Sequence, residues 1–181
     1  MEKDINIWIE RLSSLHRQQM RVVANEVGIQ LVHFEILRFL SIANKYSNTA
    51  QCLSDYLGQT KGSISQSLKL IEEAGHIERR PCEKDGRVIR LYLTKAGIDC
   101  IQKCNKKFLP ELAPSEETVD ALKKILQDWQ NVNSFKGFGQ CKGCKHNTSL
   151  DKGLFRCGLT GERLSQVDVQ KICLEHEFCE L

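Results

Sequence analysis

The sequence predicts a mainly α-helical protein with a small β wing, that is, a winged helix-turn-helix followed by a small cysteine-rich module. Three observations support this fold class. Residues 49–74 contain two short helical segments joined by a glycine turn, and residues 76–93 contain two strand-like segments around a basic turn. Residues 141–181 hold five of the nine cysteines. We therefore expect a winged-helix and dimerisation domain over 1–133 and a metal-binding module over 134–181.

The composition is that of a globular protein, with 41% apolar and 27% charged residues. The net charge of +3 is too small to indicate a nucleic-acid partner by itself, so that argument depends on where the basic residues lie. No apolar run approaches the ~18 residues that a membrane span needs. We expect a cytoplasmic protein with no membrane partner, in which reduced thiols favour metal ligation or redox chemistry over disulfides.

Two helices are expected before the helix-turn-helix. The first covers residues 5–23, and a partner must bury the apolar stripe on its otherwise polar surface. The stripe consists of Ile5, Trp8, Ile9, Leu12 and Leu15. Residues 31–44 are apolar on most sides, which is typical of a central core helix.

The helix-turn-helix has clear start and stop residues. Thr49 can cap a short helix that ends near Leu57, and Gly58 can supply the turn. Thr60 can cap the next helix, which ends before Gly75. The apolar face of that second helix leaves an outer face of small polar residues and one lysine, made up of Gly62, Ser63, Ser65, Gln66, Ser67 and Lys69. Such a face suits contacts with base edges in a major groove, although a solvated surface helix has a similar pattern.

The following hairpin favours the nucleic-acid interpretation. Residues 76–80 and 88–93 are rich in β-branched side chains, and the turn between them contains Lys84-Asp85-Gly86-Arg87. The basic residues of this wing could contact phosphates or a narrow minor groove, and they are Arg79, Arg80, Lys84, Arg87 and Arg90.

The stretch from Leu53 to Arg80, then Lys84-Asp-Gly-Arg87 and Leu93-Thr-Lys-Ala-Gly97, resembles the MarR family of bacterial transcription regulators. The resemblance implies a homodimer on double-stranded DNA, with the recognition helix in the major groove and a wing arginine in the minor groove. By position it assigns the minor-groove contact to Arg87, braced by Asp85. It assigns the major-groove contacts to Thr60, Lys61, Ser63, Ser65, Gln66 and Lys69. The resemblance also leaves room for a small-molecule effector.

A helix capped by Ser115 follows the wing domain and carries a second apolar stripe. Its members are Val119, Leu122, Ile125, Leu126 and Trp129. Together with the N-terminal stripe it matches the dimerisation layer of such regulators, and internal packing is the alternative.

The cysteine segment is too small for a self-sufficient core, so a metal staple is expected. One ligand set is Cys141, Cys144, Cys157 and Cys173, whose spacing resembles the small subunits of glycyl radical decarboxylases and benzylsuccinate-type synthases that carry a 4Fe-4S cluster. The other set replaces Cys157 with His176 and suits zinc. The iron-sulfur set is favoured because it uses Cys157. Cys179 is an alternate ligand or a spare thiol.

These inferences together predict a regulator that binds a pseudo-palindromic operator as a homodimer. Its metal centre, attached to the dimerisation helices, would sense redox or iron status, or would be a purely structural zinc site. The alternative of another class is an iron-sulfur accessory or electron-transfer subunit whose winged helix docks protein. We expect no enzyme activity, because the sequence has no nucleophile with a base, no phosphate-binding glycine loop and no paired carboxylates.

Overall fold

A computed structural model describes residues 4–108, 113–135 and 137–179. Within them the α-helices are α1 (Ile5–Val27), α2 (Leu31–Ile42), α3 (Ala50–Leu57), α4 (Lys61–Glu73), α5 (Lys95–Phe108) and α6 (Glu116–Val132). None of these helices is long and apolar enough to cross a bilayer. The mainly helical prediction is therefore confirmed, and the helix ends differ from the predicted ones by a few residues.

Seven short strands form three small sheets in the described residues. Strands β1 (Ile77–Pro81) and β2 (Ile89–Leu93) form the wing hairpin. In the C-terminal segment β3 (Gly139–Gln140) pairs with β7 (Ile172–Cys173), and the second sheet has the order β4-β5-β6. The strands of that second sheet are Asn147–Ser149, Phe155–Cys157 and Arg163–Leu164.

The chain divides into two compact units. Unit 1 comprises Met1–Ser41, Gln66–Glu78 and Leu93–Leu112. Its core is aromatic and aliphatic, since Phe34 and Leu37 are fully buried and the ring of Phe34 meets that of Phe108 edge-on at 5.7 Å. Arg38 lies over the Phe108 ring and donates to Asn105 at 3.2 Å. This packing joins α2 to α5, and the ring of His16 in α1 meets Phe108 edge-on at 5.0 Å.

A tight backbone approach holds the start of α5 in unit 1. The Thr94 backbone N–H donates to the His76 carbonyl at 3.0 Å, and its hydroxyl donates to the Gly75 carbonyl at 2.6 Å. A Cβ atom on Gly97 would overlap the His76 carbonyl oxygen. Glycine is therefore required at position 97 for steric reasons.

Unit 2 comprises Ile42–Ser65, Arg79–Tyr92 and Ala113–Leu181. The Thr49 hydroxyl accepts the Cys52 N–H at 3.2 Å, and α3 ends at Gly58 with a φ of 63°. Both features were predicted from the sequence and are confirmed. The unit thus contains α3, the first turn of α4, the wing, α6 and the whole described part of the cysteine segment.

Two helices carry apolar residues that the described chain leaves exposed. On α1, Trp8 is 70% exposed and Leu12 is 58% exposed. On α6, Leu122 is 54% exposed and Trp129 is 41% exposed. These are the two stripes that the sequence pattern singled out for a partner.

Candidate nucleic-acid interface and cysteine cluster

Helix α4 presents a polar face whose orientation is fixed by a buried apolar one. Ile64, Leu68 and Ile71 are fully buried. The Thr60 hydroxyl caps the helix by accepting the Ser63 N–H at 3.2 Å. The predicted contact residues on this helix are all exposed, and they are Lys61, Ser63, Ser65, Gln66 and Lys69. A narrow surface of hydroxyl, amide and ammonium groups results, which is a surface that can approach base edges.

One residue of the predicted outer face is placed differently. Ser67 is 9% exposed, because it lies three residues after Ile64 and four before Ile71 and therefore shares their side of the helix. Lys69 keeps its exposed position and pairs with Glu73, one turn away, at 3.8 Å.

The wing tip holds an arginine in a defined position. Arg87 has 91% of its side chain exposed, and its Nε and Nη2 donate to the two carboxylate oxygens of Asp85 at 3.0 and 3.1 Å. The Asp85 carboxylate also accepts the Arg87 backbone N–H at 3.1 Å. The guanidinium beside Asp85 lowers the pKa of that carboxyl. The bracing of Arg87 by Asp85 is therefore confirmed, and it reduces the side-chain freedom that a ligand would otherwise have to remove.

The base of the wing uses a basic residue for structure. Arg90 donates to the Tyr46 carbonyl at 2.6 Å and is half-buried. Asn48 and Leu91 exchange hydrogen bonds close by, with the Leu91 N–H donating to Asn48 at 2.8 Å and the Asn48 amide donating back at 3.0 Å. Arg90 therefore has a structural role at the base of the wing, and its contact with phosphate stays a prediction. Arg79 and Lys84 are exposed as predicted, and Arg80 is exposed with its guanidinium over the Tyr92 ring.

The strand pairings of the C-terminal segment gather four cysteines. Pairing of β3 with β7 sets Cys173 opposite Gly139, two residues before Cys141. The Cys144 N–H donates to the Cys141 carbonyl at 3.1 Å and closes the Cys-x2-Cys turn. Pairing of β4 with β5 sets Cys157 opposite Asn147, three residues after Cys144.

The four thiols lie close enough to affect one another's charge. Burial raises the pKa of Cys141 to about 11, and Cys173, Cys144 and Cys157 add to the shift in that order. Burial also raises the pKa of Cys173, against a hydrogen bond from the Asn44 side chain. Burial therefore favours the protonated form of Cys141 and Cys173 unless a cation replaces the protons.

Cys157 sits in a turn rich in hydrogen-bond donors. Burial would raise its pKa, but hydrogen bonds from the backbone and hydroxyl of Thr160 and from the backbone of Leu159 outweigh burial and lower it. The turn is closed by the Gly161 N–H, which donates to the Cys157 carbonyl at 2.8 Å. Several donors aimed at one sulfur are what a metal-bound thiolate requires of its surroundings.

His176 and Cys179, the alternate ligands, differ in their surroundings. His176 is 4% exposed and rests on Gly139, where a Cβ atom would lie 2.6 Å from the ring. Burial lowers its pKa, and the Gly143 backbone carbonyl accepts a hydrogen bond from the ring. Among the described residues its Nδ1 has no hydrogen-bond partner. Cys179 is exposed, with its sulfur 3.9 Å from the Gly143 carbonyl oxygen.

No group of three or more His, Cys, Asp or Glu side chains in the described part of the chain is arranged to hold a metal ion as it stands. The donor set has the chemistry of a thiolate-bound centre, because Cys173, Cys144 and Cys157 all affect the charge of Cys141 and because Cys157 has its own hydrogen-bond donors.

The cysteine segment is anchored to residues that sequence reasoning did not select. Asn44 donates its backbone N–H to the Ile172 carbonyl at 2.9 Å, and the Leu174 N–H donates to the Ser47 hydroxyl at 2.8 Å. Glu162 contacts Lys45, Tyr46 and the wing residue Lys84. The segment was expected to be attached to the dimerisation helices, and in unit 2 it also contacts the turn before α3 and the wing. The charges of Glu162 and Lys84 were visible in the sequence, but their pairing had no local signal.

Unit 2 also contains an open cleft of about 1780 Å³. Side chains of α6 and of the cysteine segment line it, and its aromatic lining consists of Tyr56, Trp129, Phe135, Phe138 and Phe178. Tyr56 and Phe138 meet edge-on at 5.1 Å. Such a lining suits a flat apolar ligand or an apolar helix.

The helix order, the capped helix α4 and the hairpin define a winged-helix fold. Residues 27–88 match the model of the MarR family. No curated protein matches the chain.

Solved structures share this fold at low sequence identity. CouR from Rhodococcus jostii, bound to p-coumaroyl-CoA, matches with a TM-score of 0.60 and 15% identity over 70% of this chain and 92% of its own. A MarR transcriptional regulator from Methanosarcina mazei matches with a TM-score of 0.58 and 20% identity over 72% and 99%. The S. aureus MepR–DNA complex matches with a TM-score of 0.52 and 19% identity over 72% and 99%.

Proposed function

We propose that the protein is a DNA-binding transcriptional regulator that binds a pseudo-palindromic operator as a homodimer. The observation that carries this proposal is the exposed polar face of α4, together with the braced Arg87 at the tip of the wing. The first turn of α4 and the wing belong to the same unit, and both expose basic groups. The DNA complex of the structurally similar MepR supports the same use of this fold.

The homodimer rests on the exposed stripes of α1 and α6. Large apolar side chains such as Trp8 and Leu122 are exposed on these helices, and a second copy of the chain would bury them. Two-fold symmetry then repeats the recognition helix, which is the arrangement that a pseudo-palindromic site requires.

Salt-dependent binding tests the DNA proposal. Fluorescence anisotropy would follow a labelled duplex of random sequence between about 0.05 and 0.2 M NaCl, where phosphate contacts lose affinity steeply. We expect Lys69→Glu and Arg87→Glu each to weaken binding about tenfold or more and to flatten the salt dependence. The matched control is Lys106→Glu, which makes the same change in net charge on α5. Equal DNA affinity of all three variants would contradict the proposal. No DNA binding by the wild type would also contradict it and would favour the accessory-subunit alternative.

We propose further that Cys141, Cys144, Cys157 and Cys173 hold a 4Fe-4S cluster. The strand pairings that bring Cys173 and Cys157 beside the Cys141–Cys144 turn, together with the donors around Cys157, support a four-thiolate set. A cluster, when bound, supplies one-electron redox chemistry and sensitivity to iron supply. The chain's own residues donate hydrogen bonds to the sulfurs and bury them. The alternative is a structural zinc site that uses His176 in place of Cys157.

Metal analysis and an absorbance spectrum of anaerobically purified protein separate the two centres. Iron, sulfide and broad visible absorption, lost in Cys157→Ser but kept in Cys179→Ser, would support the cluster. Colourless protein with stoichiometric zinc that survives Cys157→Ser would overturn it. Equal DNA affinity before and after removal of the group would refute sensing and leave a structural role.

A small aromatic effector is also proposed for the aromatic cleft. The support is the lining by Trp129 and the four other aromatic rings, together with the bound p-coumaroyl-CoA of the structurally similar CouR. Titration with p-coumarate, monitored by tryptophan fluorescence in wild type and Trp8→Phe, would show saturable quenching from Trp129. A Trp129 signal unchanged by the ligand would count against this site for that probe.

A further inference from the structure

Glu162 forms the centre of an unusual basic contact in unit 2. Its carboxylate accepts hydrogen bonds from the ammonium groups of Lys84 and Lys45 and from the Tyr46 hydroxyl. The Lys84 contact measures 2.5 Å and the Tyr46 contact 2.5 Å. Two ammonium groups and a hydroxyl around one anion make a set of donors that would equally take a phosphate.

The two lysines remain near solvent although Glu162 is shielded. The side chain of Lys84 is 77% exposed and that of Lys45 is 57% exposed, while Glu162 is 22% exposed. The carboxylate therefore lies beneath two cations that face outward. The lysines beside Glu162 lower its pKa to about 2, so the carboxylate is fully ionised at neutral pH.

Glu162 is held in place from behind by the turn that carries Cys157. The Cys157 N–H donates to the Glu162 carbonyl at 2.9 Å, and the Gly161 N–H donates to the Cys157 carbonyl at 2.8 Å. The same side of the segment is tied to residues 43–47 through Asn44 and Ser47. The backbone that carries the Glu162 side chain is thus fixed by hydrogen bonds.

We propose that Glu162 occupies the place of a DNA phosphate on Lys84 and Lys45. The cysteine segment thereby lowers the affinity of the wing for DNA. This inference rests on the proposed DNA-binding function and adds a regulatory contact to it. Lys84 is a wing residue selected from the sequence as a phosphate contact, and in this structure Glu162 already occupies it. DNA must displace Glu162 before it gains this contact.

The test compares Glu162→Gln with Glu177→Gln, which are matched in size and charge. Glu177 lies in the same segment and pairs with Lys145 and His146, away from the wing residues of the contact. We expect Glu162→Gln to bind the random duplex roughly tenfold more tightly and to steepen the log–log salt slope by about 0.9 per lysine that reaches phosphate. Glu177→Gln should show neither change.

A second variant pair makes the test independent of general charge effects. Lys84→Gln in the wild-type background should cost little DNA affinity, because that lysine is already engaged. In the Glu162→Gln background it should remove most of the gain. The measurements are anisotropy titrations, with thermal unfolding to confirm that each variant is folded.

The outcomes separate the two proposals. Wild-type protein that binds DNA with a steep salt slope, but whose Glu162→Gln variant behaves like Glu177→Gln, would overturn the phosphate-substitute inference and leave the regulator intact. Wild-type protein and Glu162→Gln that both fail to bind DNA would overturn the proposed function itself. A Glu162→Gln variant that unfolds would show that the contact serves the fold, and this also counts against the inference.

Discussion

Replacement of Gly97 by alanine tests the tightest backbone approach in unit 1. The added Cβ would overlap the His76 carbonyl oxygen and lie 3.0 Å from the carbonyl carbon, so α5 and His76 must separate. Separation breaks the hydrogen bond from the Thr94 N–H to the His76 carbonyl. It also stretches the hydrogen bond from the Thr94 hydroxyl to the Gly75 carbonyl. Each bond contributes about 1 kcal/mol, and strain from the forced shift adds about 1–3 kcal/mol. Alanine recovers up to about 1 kcal/mol through helix propensity.

The expected net loss in the free energy of unfolding is about 2–4 kcal/mol. Urea denaturation monitored by far-UV circular dichroism at one fixed protein concentration would measure it, because a dimer's apparent stability depends on concentration. The matched control is Gly62→Ala in α4, where the new Cβ meets nothing within 4 Å. That variant should gain about 0.5 kcal/mol. The reasoning fails if Gly97→Ala is as stable as the wild type.

Three further changes have defined outcomes. Iodoacetamide should alkylate the exposed Cys179 well before the buried Cys104, because burial raises the pKa of Cys104 to about 11. Equal alkylation rates measured by mass spectrometry would contradict this. Burial raises the pKa of Glu35 above 4.5, so the folded state favours its protonated form and this residue's contribution to stability is lost as pH rises. The free energy of unfolding of Glu35→Gln, measured relative to that of the wild type, should therefore increase as the pH rises above about 4.5. A difference that stays constant with pH would refute the raised pKa of Glu35. Gly139→Ala places a Cβ 2.6 Å from the His176 ring and should lower the thermal midpoint, whereas Gly143→Ala, whose Cβ meets nothing within 4 Å, should not.

The winged-helix part of the fold could be predicted because its determinants are local. Thr49, Gly58 and Thr60 act on backbone groups within a few residues of themselves, so their roles can be inferred from the sequence alone. The wing turn is local in the same way, since Asp85 braces a residue two positions away. Helix α2 ends at Ile42, two residues earlier than predicted, because Ala43 bridges to Ile172 far along the chain.

The contacts that the sequence did not predict share that physical origin. Nothing near Arg90 in the sequence indicates that it donates to the Tyr46 carbonyl, 44 residues upstream. Glu162 and Lys84 are 78 residues apart, and any of the chain's acidic residues could have been the partner of Lys84. Local patterns identify which residues lie outward, whereas the choice of ionic partner depends on the tertiary path of the cysteine segment.

The path of the cysteine segment changes how a chemical event at Cys157 would act on DNA binding. Sequence order suggested that a metal centre acts on the dimerisation helices, because α6 directly precedes the segment. In unit 2 a shorter route exists, from the Cys157 backbone to Glu162 and from its carboxylate to Lys84. In the proposed regulator, loosening of the Cys157 turn would remove the backbone hydrogen bond that holds Glu162 and would release Lys84 to DNA. A release of this kind requires no change in the spacing of the recognition helices. If the proposed homodimeric regulator is correct, replacement of Cys157 should therefore alter the salt slope of DNA binding without altering the preferred half-site spacing.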